Sequence, residues 1–217
     1  MPTVIKAVLW DFGGVILSSP FEAFNQFEQA TGLPVDFIRT VNATDPHSNA
    51  WARLERNAVT LEEFDALFAE ESARLGHEVR GAKVLDLLHG SIRPEMVEAL
   101  RRVRAAGYQT ACLTNNAVAG DDVEHEDPTG RREQVAEVMA MFDAVVESSK
   151  VGVRKPEPRF YEIACELLAV TPGECVFLDD LGINLKPAAA MGMTTIKVLN
   201  ADQALTALEA TLNLALR

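Results

Sequence analysis

Cysteine is scarce, basic residues never cluster, and no apolar run approaches membrane-spanning length in this chain of 217 residues. Each shortage excludes something. Cys112, Cys165 and Cys175 are an odd number, two in expected strands and one in a helix, which favours buried free thiols over disulfides or a metal site and points to a reducing cytoplasm. Only 20 Lys and Arg stand against 32 Asp and Glu, a formal net charge of −12. A phosphate backbone demands a basic face, so nucleic acid and anionic membranes are poor partners. With no spanning run, and with Met1-Pro2-Thr3 leading straight into a strand, neither a membrane helix nor a signal peptide is expected. There is no internal repeat, no Gly-x-Ser-x-Gly or Gly-x-Asp-x-Gly elbow, and none of His47, His77, His89 or His125 pairs with a nucleophile.

What is present is a repeated grammar of apolar strand and polar tip. Val4-Ile5-Lys6-Ala7-Val8-Leu9-Trp10 ends in Asp11-Phe12-Gly13-Gly14-Val15. A carboxylate at the end of a buried strand sits where open α/β sheets keep their ligands, and glycine lets a substrate approach the backbone closely. Alone, such a pentad is as often a plain strand-ending turn. Three later segments follow the pattern: Thr110 to Leu113 ending in Thr114-Asn115-Asn116, Ala144-Val145-Val146 ending in Glu147-Ser148, and Cys175 to Leu178 ending in Asp179-Asp180. Lys155-Pro156-Glu157-Pro158 falls between the third and the fourth.

Between Val15 and about Tyr108 the strand pattern disappears and the text is helical. Phe21, Phe24, Phe27 and Glu28 share helical spacing up to Gly32, and Trp51 and Leu54 mark a short segment. Thr60 with Glu63 forms a capping box opening a helix toward Gly76. Residues 17–90 therefore read as a helical cap inserted into a core of 1–16 and 91–217. Helices are expected over Pro94–Ala106, Arg159–Ala169, Asn184–Met191 and Asp202–Leu216, and an exposed loop over Val118–Arg132. Such alternation implies a Rossmann-like parallel sheet of five or more strands flanked by helices, with 48% hydrophobic content enough for one core and a small subdomain.

An aspartate, a hydroxyl with an amide, a lysine and a paired aspartate, on successive α/β units, resemble the haloacid dehalogenase (HAD) superfamily of hydrolases. Ser148 to Val198, with Val-Gly-Val-Arg-Lys-Pro-Glu-Pro and Val-Phe-Leu-Asp-Asp-Leu-Gly-Ile-Asn, is similar to the amino-terminal phosphatase domain of soluble epoxide hydrolase and to small bacterial sugar-phosphate phosphatases. A chain of this length leaves no room for an epoxide hydrolase domain.

The resemblance implies a magnesium-dependent hydrolase of a small phosphorylated metabolite, cytoplasmic, monomeric or homodimeric. Asp11 matches the nucleophile that forms an aspartyl-phosphate. A hard divalent cation and a lysine would offset the repulsion between that carboxylate and a phosphate dianion. Asp11, the Gly13 carbonyl, Asp180 and Asp179, the last directly or through water, match the metal site. Thr114 and the Asn115 N–H match the phosphoryl-oxygen donors, and Lys155 matches the group that neutralises phosphate and keeps Asp11 ionised. Asn184 could orient Asp180 or metal waters. Singly, Thr114 reads equally as a turn former, Lys155 as a solvated charge, Asn184 as an N-cap and the aspartate pair as an acidic turn.

One position departs from the pattern. The phosphatases carry a second aspartate two residues after the nucleophile, which protonates the leaving oxygen, and here that position is Gly13. General acid–base catalysis contributes about 10²–10⁴-fold, so its loss slows alkyl esters most and spares aryl and acyl phosphates. Two alternatives follow: a metal-independent 2-haloacid dehalogenase, whose halide departs unprotonated, and a degenerate fold that only binds. In the cap, Trp51, Arg53 and Arg56 are candidates for the cleft, though Trp51 reads better as cap core and the arginines as solvated; His47 is the one cap histidine worth testing.

Overall fold

The computed structural model describes residues 4–88, 90–116 and 130–217, so His89, His125 and residues 118–129 of the expected loop lie outside the described part. Strand β1 (Ala7–Trp10) leaves through the turn Phe12–Ile16 into α1 (Phe21–Thr31), α2 (Phe37–Ala43), α3 (Ala50–Glu55), α4 (Leu61–Arg74) and α5 (Gly81–Asp86). Alternation resumes with α6 (Pro94–Ala105), β2 (Gln109–Thr114), α7 (Arg131–Met139), β3 (Ala144–Glu147), α8 (Ser148–Val151) and α9 (Pro158–Leu168). The chain closes with β4 (Cys175–Asp179), α10 (Gly182–Ala190), β5 (Thr194–Lys197) and α11 (Ala201–Leu212).

The five strands form one parallel sheet in the order β3-β2-β1-β4-β5. Strands buried on both faces read as continuous apolar runs, which is why β1 and β4 stood out in the sequence. Alternate residues feed opposite layers. Val8, Trp10, Cys112 and Leu178 pack against α6 and α11, while Leu9, Ala111, Leu113 and Phe177 pack against α9 and α10. The order reverses at β1, from which the chain runs to β2 and β3 on one side before crossing to β4 and β5 on the other. The crevice beyond the carboxyl ends of β1 and β4 is therefore the ligand position of an open α/β sheet.

The helices between β1 and β2 bury a cluster of their own, including Phe24, Phe37, Leu54, Phe64 and Phe68. The capping box at α4 is present, with the Glu63 N–H donating to Thr60 Oγ1 at 3.1 Å and the Thr60 N–H donating to Glu63 Oε2 at 2.8 Å. Helix α1 ends at Gly32 in a left-handed conformation, φ 72°, as its sequence position suggested. Helices α2 and α5 were not expected. They span 7 and 6 residues, too few to show an apolar period, and α2 is started by buried Glu28, whose carboxylate accepts the N–H groups of Asp36 and Ile38. Helix α7 also corrects the expected loop, since Arg131 and Arg132 open it. The two connections to the core run side by side, with Arg93 N donating to Ile16 O and Ser18 N to Ser91 O. Removing the Thr60 hydroxyl orphans a helix N-terminal donor, so Thr60→Ala should cost about 1 kcal/mol. Urea titration should show a lower midpoint at unchanged slope.

Candidate active site

Asp11 stands one residue past β1, its own N–H tied to Leu178 O at 2.8 Å, so the backbone of β4 aims the carboxylate into the crevice. Its Oδ1 accepts the Phe12 N–H at 2.7 Å and the ammonium of Lys155 at 2.7 Å. The same ammonium reaches Asp179 Oδ2 at 2.8 Å, with the lysine side chain 1% exposed and that of Asp179 wholly buried. Asp179 is held in turn. Leu181 N–H donates to its Oδ1 at 2.8 Å, Asn184 Nδ2 lies 3.1 Å from both oxygens, and the Tyr161 hydroxyl donates to Asn184 O at 2.7 Å.

One buried ammonium thus sits between two carboxylates, with a third close by. Single oxygens of Asp11, Asp179 and Asp180 all lie within 4.8 Å of one another. Within this cluster three carboxylates face one ammonium. Burial pushes the Asp11 carboxyl well above its usual range, opposed by Lys155 and reinforced by Asp179 and Asp180. Burial, then the charge of Asp179, lifts Asp180 to about 6, against the pull of Lys155 and Arg93. Burial alone would strip Lys155 of its proton, but Asp11 and Asp179 outweigh it and hold the ammonium protonated. An oxygen-only cluster with excess negative charge fits a hard divalent cation.

The glycines after Asp11 differ in role. Gly14 has φ 75°, and a side chain there would overlap the Asp180 carboxylate. Gly13 has φ −69° and ψ 133°, open to any residue, and a Cβ there would meet nothing within 4 Å. The missing aspartate therefore reflects a vacant position in the sequence, with no steric bar to filling it.

Thr114 closes β2, buried and next to Asn115. Asn115 does more than its N–H suggested, because its side chain grips the backbone of Lys155, Nδ2 to the carbonyl at 3.0 Å and Oδ1 from the N–H at 2.9 Å. Asn184 orients Asp179 instead of Asp180, which corrects both the expected partner and the N-cap alternative; α10 begins earlier, at Gly182. Trp51 packs edge-on against Phe64 as cap core and Arg53 is exposed. Arg56 is not a solvated charge; it reaches Glu157 of the core at 2.6 Å. His47 is exposed, and its carbonyl accepts from Arg56. All three cysteines are buried and unpaired.

The chain is 34% identical over 220 residues to acyl-CoA dehydrogenase family member 10 of Mus musculus, covering 97% of this chain and 19% of the relative. It is 33% identical over 217 residues to bifunctional epoxide hydrolase 2 of the same organism, covering 94% of this chain and 38% of the relative. The chain thus spans well under half the length of either. A phosphatase of Mycobacterium tuberculosis is 28% identical, with 92% of this chain and 89% of the relative covered. Among solved structures, a Bacteroides thetaiotaomicron HAD-family enzyme in complex with magnesium and inorganic phosphate matches at TM-score 0.57 and 21% identity, over 89% of this chain and 93% of that one. The L-2-haloacid dehalogenase of Xanthobacter autotrophicus with chloropropionic acid covalently bound matches at TM-score 0.60 and 22% identity, over 98% and 85%. These likenesses share a fold. The haloacid dehalogenase-like hydrolase family matches residues 5–192, and the chain belongs to that family.

Proposed function

We propose that the protein is a magnesium-dependent phosphatase that acts on a small phosphorylated metabolite through a phosphoryl group carried on Asp11. The observation that carries this reading is the clustering of Asp180 with Asp11 and Asp179 around a single ammonium. An excess of carboxylates over ammonium disfavours an anionic haloacid, whose displacement at carbon needs no metal, and suits a cation that bridges to phosphate. The phosphatase named among its relatives, aligned over nearly the whole of both chains, supports the same choice. Residues 17–90 serve as cap and residues 1–16 and 91–217 as catalytic core. The buried unpaired thiols suit a reducing compartment such as the cytoplasm, and among the described residues no helix is long and apolar enough to cross a membrane.

Asp11 Oδ1 is occupied by Phe12 N–H and Lys155, so Oδ2 attacks phosphorus while the bond to the leaving oxygen breaks. Lys155 favours the ionised form of Asp11 against the cost of burial and offsets the dianion, and Thr114 with the Asn115 N–H takes phosphoryl oxygens. Asp180 and the Gly13 carbonyl would hold magnesium, whose positive charge lowers the repulsion between carboxylate and phosphate. Both Asp179 oxygens are already engaged by Lys155, Asn184 and Leu181 N–H, which suits Asp179 to a water-mediated place and to fixing the lysine. With glycine at 13 that position supplies no proton, so the leaving group departs as its anion or takes a proton from solvent. Water then attacks phosphorus and releases phosphate and Asp11.

Three outcomes are expected. Hydrolysis of p-nitrophenyl phosphate should require magnesium and disappear in Asp11→Asn; halide release from 2-chloropropionate without metal, and no phosphatase turnover, would assign the dehalogenase reaction instead. Magnesium at about 100 times its Kd should add about 2.7 kcal/mol of stability. Calorimetry should show that gain largely lost in Asp180→Asn, and an equal gain in both proteins contradicts the metal assignment. Because the space at position 13 is open, Gly13→Asp should raise kcat/KM for alkyl phosphates toward the 10²–10⁴-fold worth of an acid, with little change for aryl phosphates. An equal change for both classes means that leaving-group protonation is not what position 13 controls.

A further inference from the structure

Two of the ion pairs between cap and core are reciprocal. At the end of α3 the cap presents Glu55 and Arg56; the core answers with Arg154 and Glu157. Glu55 pairs with Arg154, with side chains 9% and 12% exposed, and Arg56 meets Glu157 Oε1 through Nη2 at 2.6 Å and Nε at 3.0 Å. Each arginine also donates to a cap carbonyl, Arg154 to Pro46 at 2.8 Å and Arg56 to His47 at 3.1 Å. Glu55 is braced from behind by the Trp51 indole N–H at 2.8 Å, and Trp51 is packed on Phe64, so the cap side of the junction is rigid.

The core side is a tight turn. Glu157 N–H donates to Arg154 O at 2.8 Å, and the Glu157 carboxylate lies 3.3 Å from Arg154 N, so the two residues that grip the cap also close on each other. Lys155 and Pro156 lie between them. The only other grip described on the Lys155 backbone is the Asn115 amide.

We propose that Arg154 and Glu157 are positioning residues, which through Glu55 and Arg56 make the placement of Lys155 depend on the cap being seated. With the cap in place the turn is anchored at both ends and the ammonium is held between Asp11 and Asp179. With the cap lifted, the turn keeps its own Glu157 N–H to Arg154 O bond and Asn115, while Arg154 and Glu157 lose their cap partners. Substrate then enters an open site whose lysine is still paired with Asp11 and Asp179 but sits on a less firmly held turn, and cap closure tightens that turn. The catalytic consequence rests on the role given to Lys155 above; the dependence of the turn on the cap does not.

The test uses the full chain and the half-buried pair, whose loss the fold should tolerate. Arg56→Ala, Glu157→Ala, the double variant and the exchange Arg56→Glu with Glu157→Arg are compared for amide hydrogen exchange over residues 153–157 and for p-nitrophenyl phosphate kinetics with magnesium. Arg56→Ala, although it lies in the cap, should speed exchange at Lys155. It should also lower kcat by about ten- to a hundredfold, the cost of a slightly misplaced group. The double alanine variant should be no worse than the singles, and the charge exchange should recover both readings. Arg56→Lys, which keeps the charge and loses the two-nitrogen grip, should fall between and serves if the alanine variant is unstable. Unchanged exchange at 153–157 in folded Arg56 variants overturns the proposal, whatever the enzyme hydrolyses. Faster exchange with unchanged kcat leaves the mechanical link standing and overturns its catalytic part. Absence of turnover in the parent defeats the phosphatase reading alone, and the exchange data still decide the link.

Discussion

A protonated lysine buried to 1% exposure is the constraint on which the rest of this structure depends. An unpaired ammonium cannot be left there, because its desolvation far exceeds what packing returns. Lys155 is kept charged by Asp11 at the end of β1 and Asp179 at the end of β4, and its backbone is held by Asn115 beyond β2. The groups that satisfy it come from three neighbouring strands, and the lysine itself comes from the turn beyond β3. The reversal of strand order at β1 is what brings these tips to one point.

The two glycines following Asp11 show the same site from its open side. Gly14 is required by the approach of Asp180 and by its own backbone conformation. Gly13 faces open space, and no comparable contact demands it. In the phosphatase reading proposed above, a glycine beside the nucleophile shifts the burden of bond cleavage to the leaving group and to the charges around phosphorus.

Much of this was legible in the residues, and the reason is physical. Buried parallel strands must be apolar throughout, so a polar tip after such a run marks both the strand end and the crevice. Asp11, Thr114 and Asp179-Asp180 declared themselves in that way, and the Thr60 and Glu63 pair declared its helix. Side-chain amides did not. Asn115 entered only through its backbone N–H and Asn184 read equally as an N-cap, and only the fold shows that the side chain of one grips the Lys155 backbone and that of the other Asp179. Helices α2 and α5 were silent because six or seven residues cannot display a period of 3.6. Arg56 read as a solvated charge and Glu55 carried no signal of its own; their partners lie about a hundred residues away, a separation no local pattern encodes.

The central claim is that Asp11, paired with Lys155, becomes the phosphoryl carrier. Rapid acid quench of the protein mixed with magnesium and an aryl phosphate, followed by peptide mass spectrometry, tests it most directly. The account predicts a phosphoryl group on the peptide containing Asp11, absent without magnesium and absent in Asp11→Asn. Turnover without any such adduct, or a phosphoryl group on another residue, contradicts it.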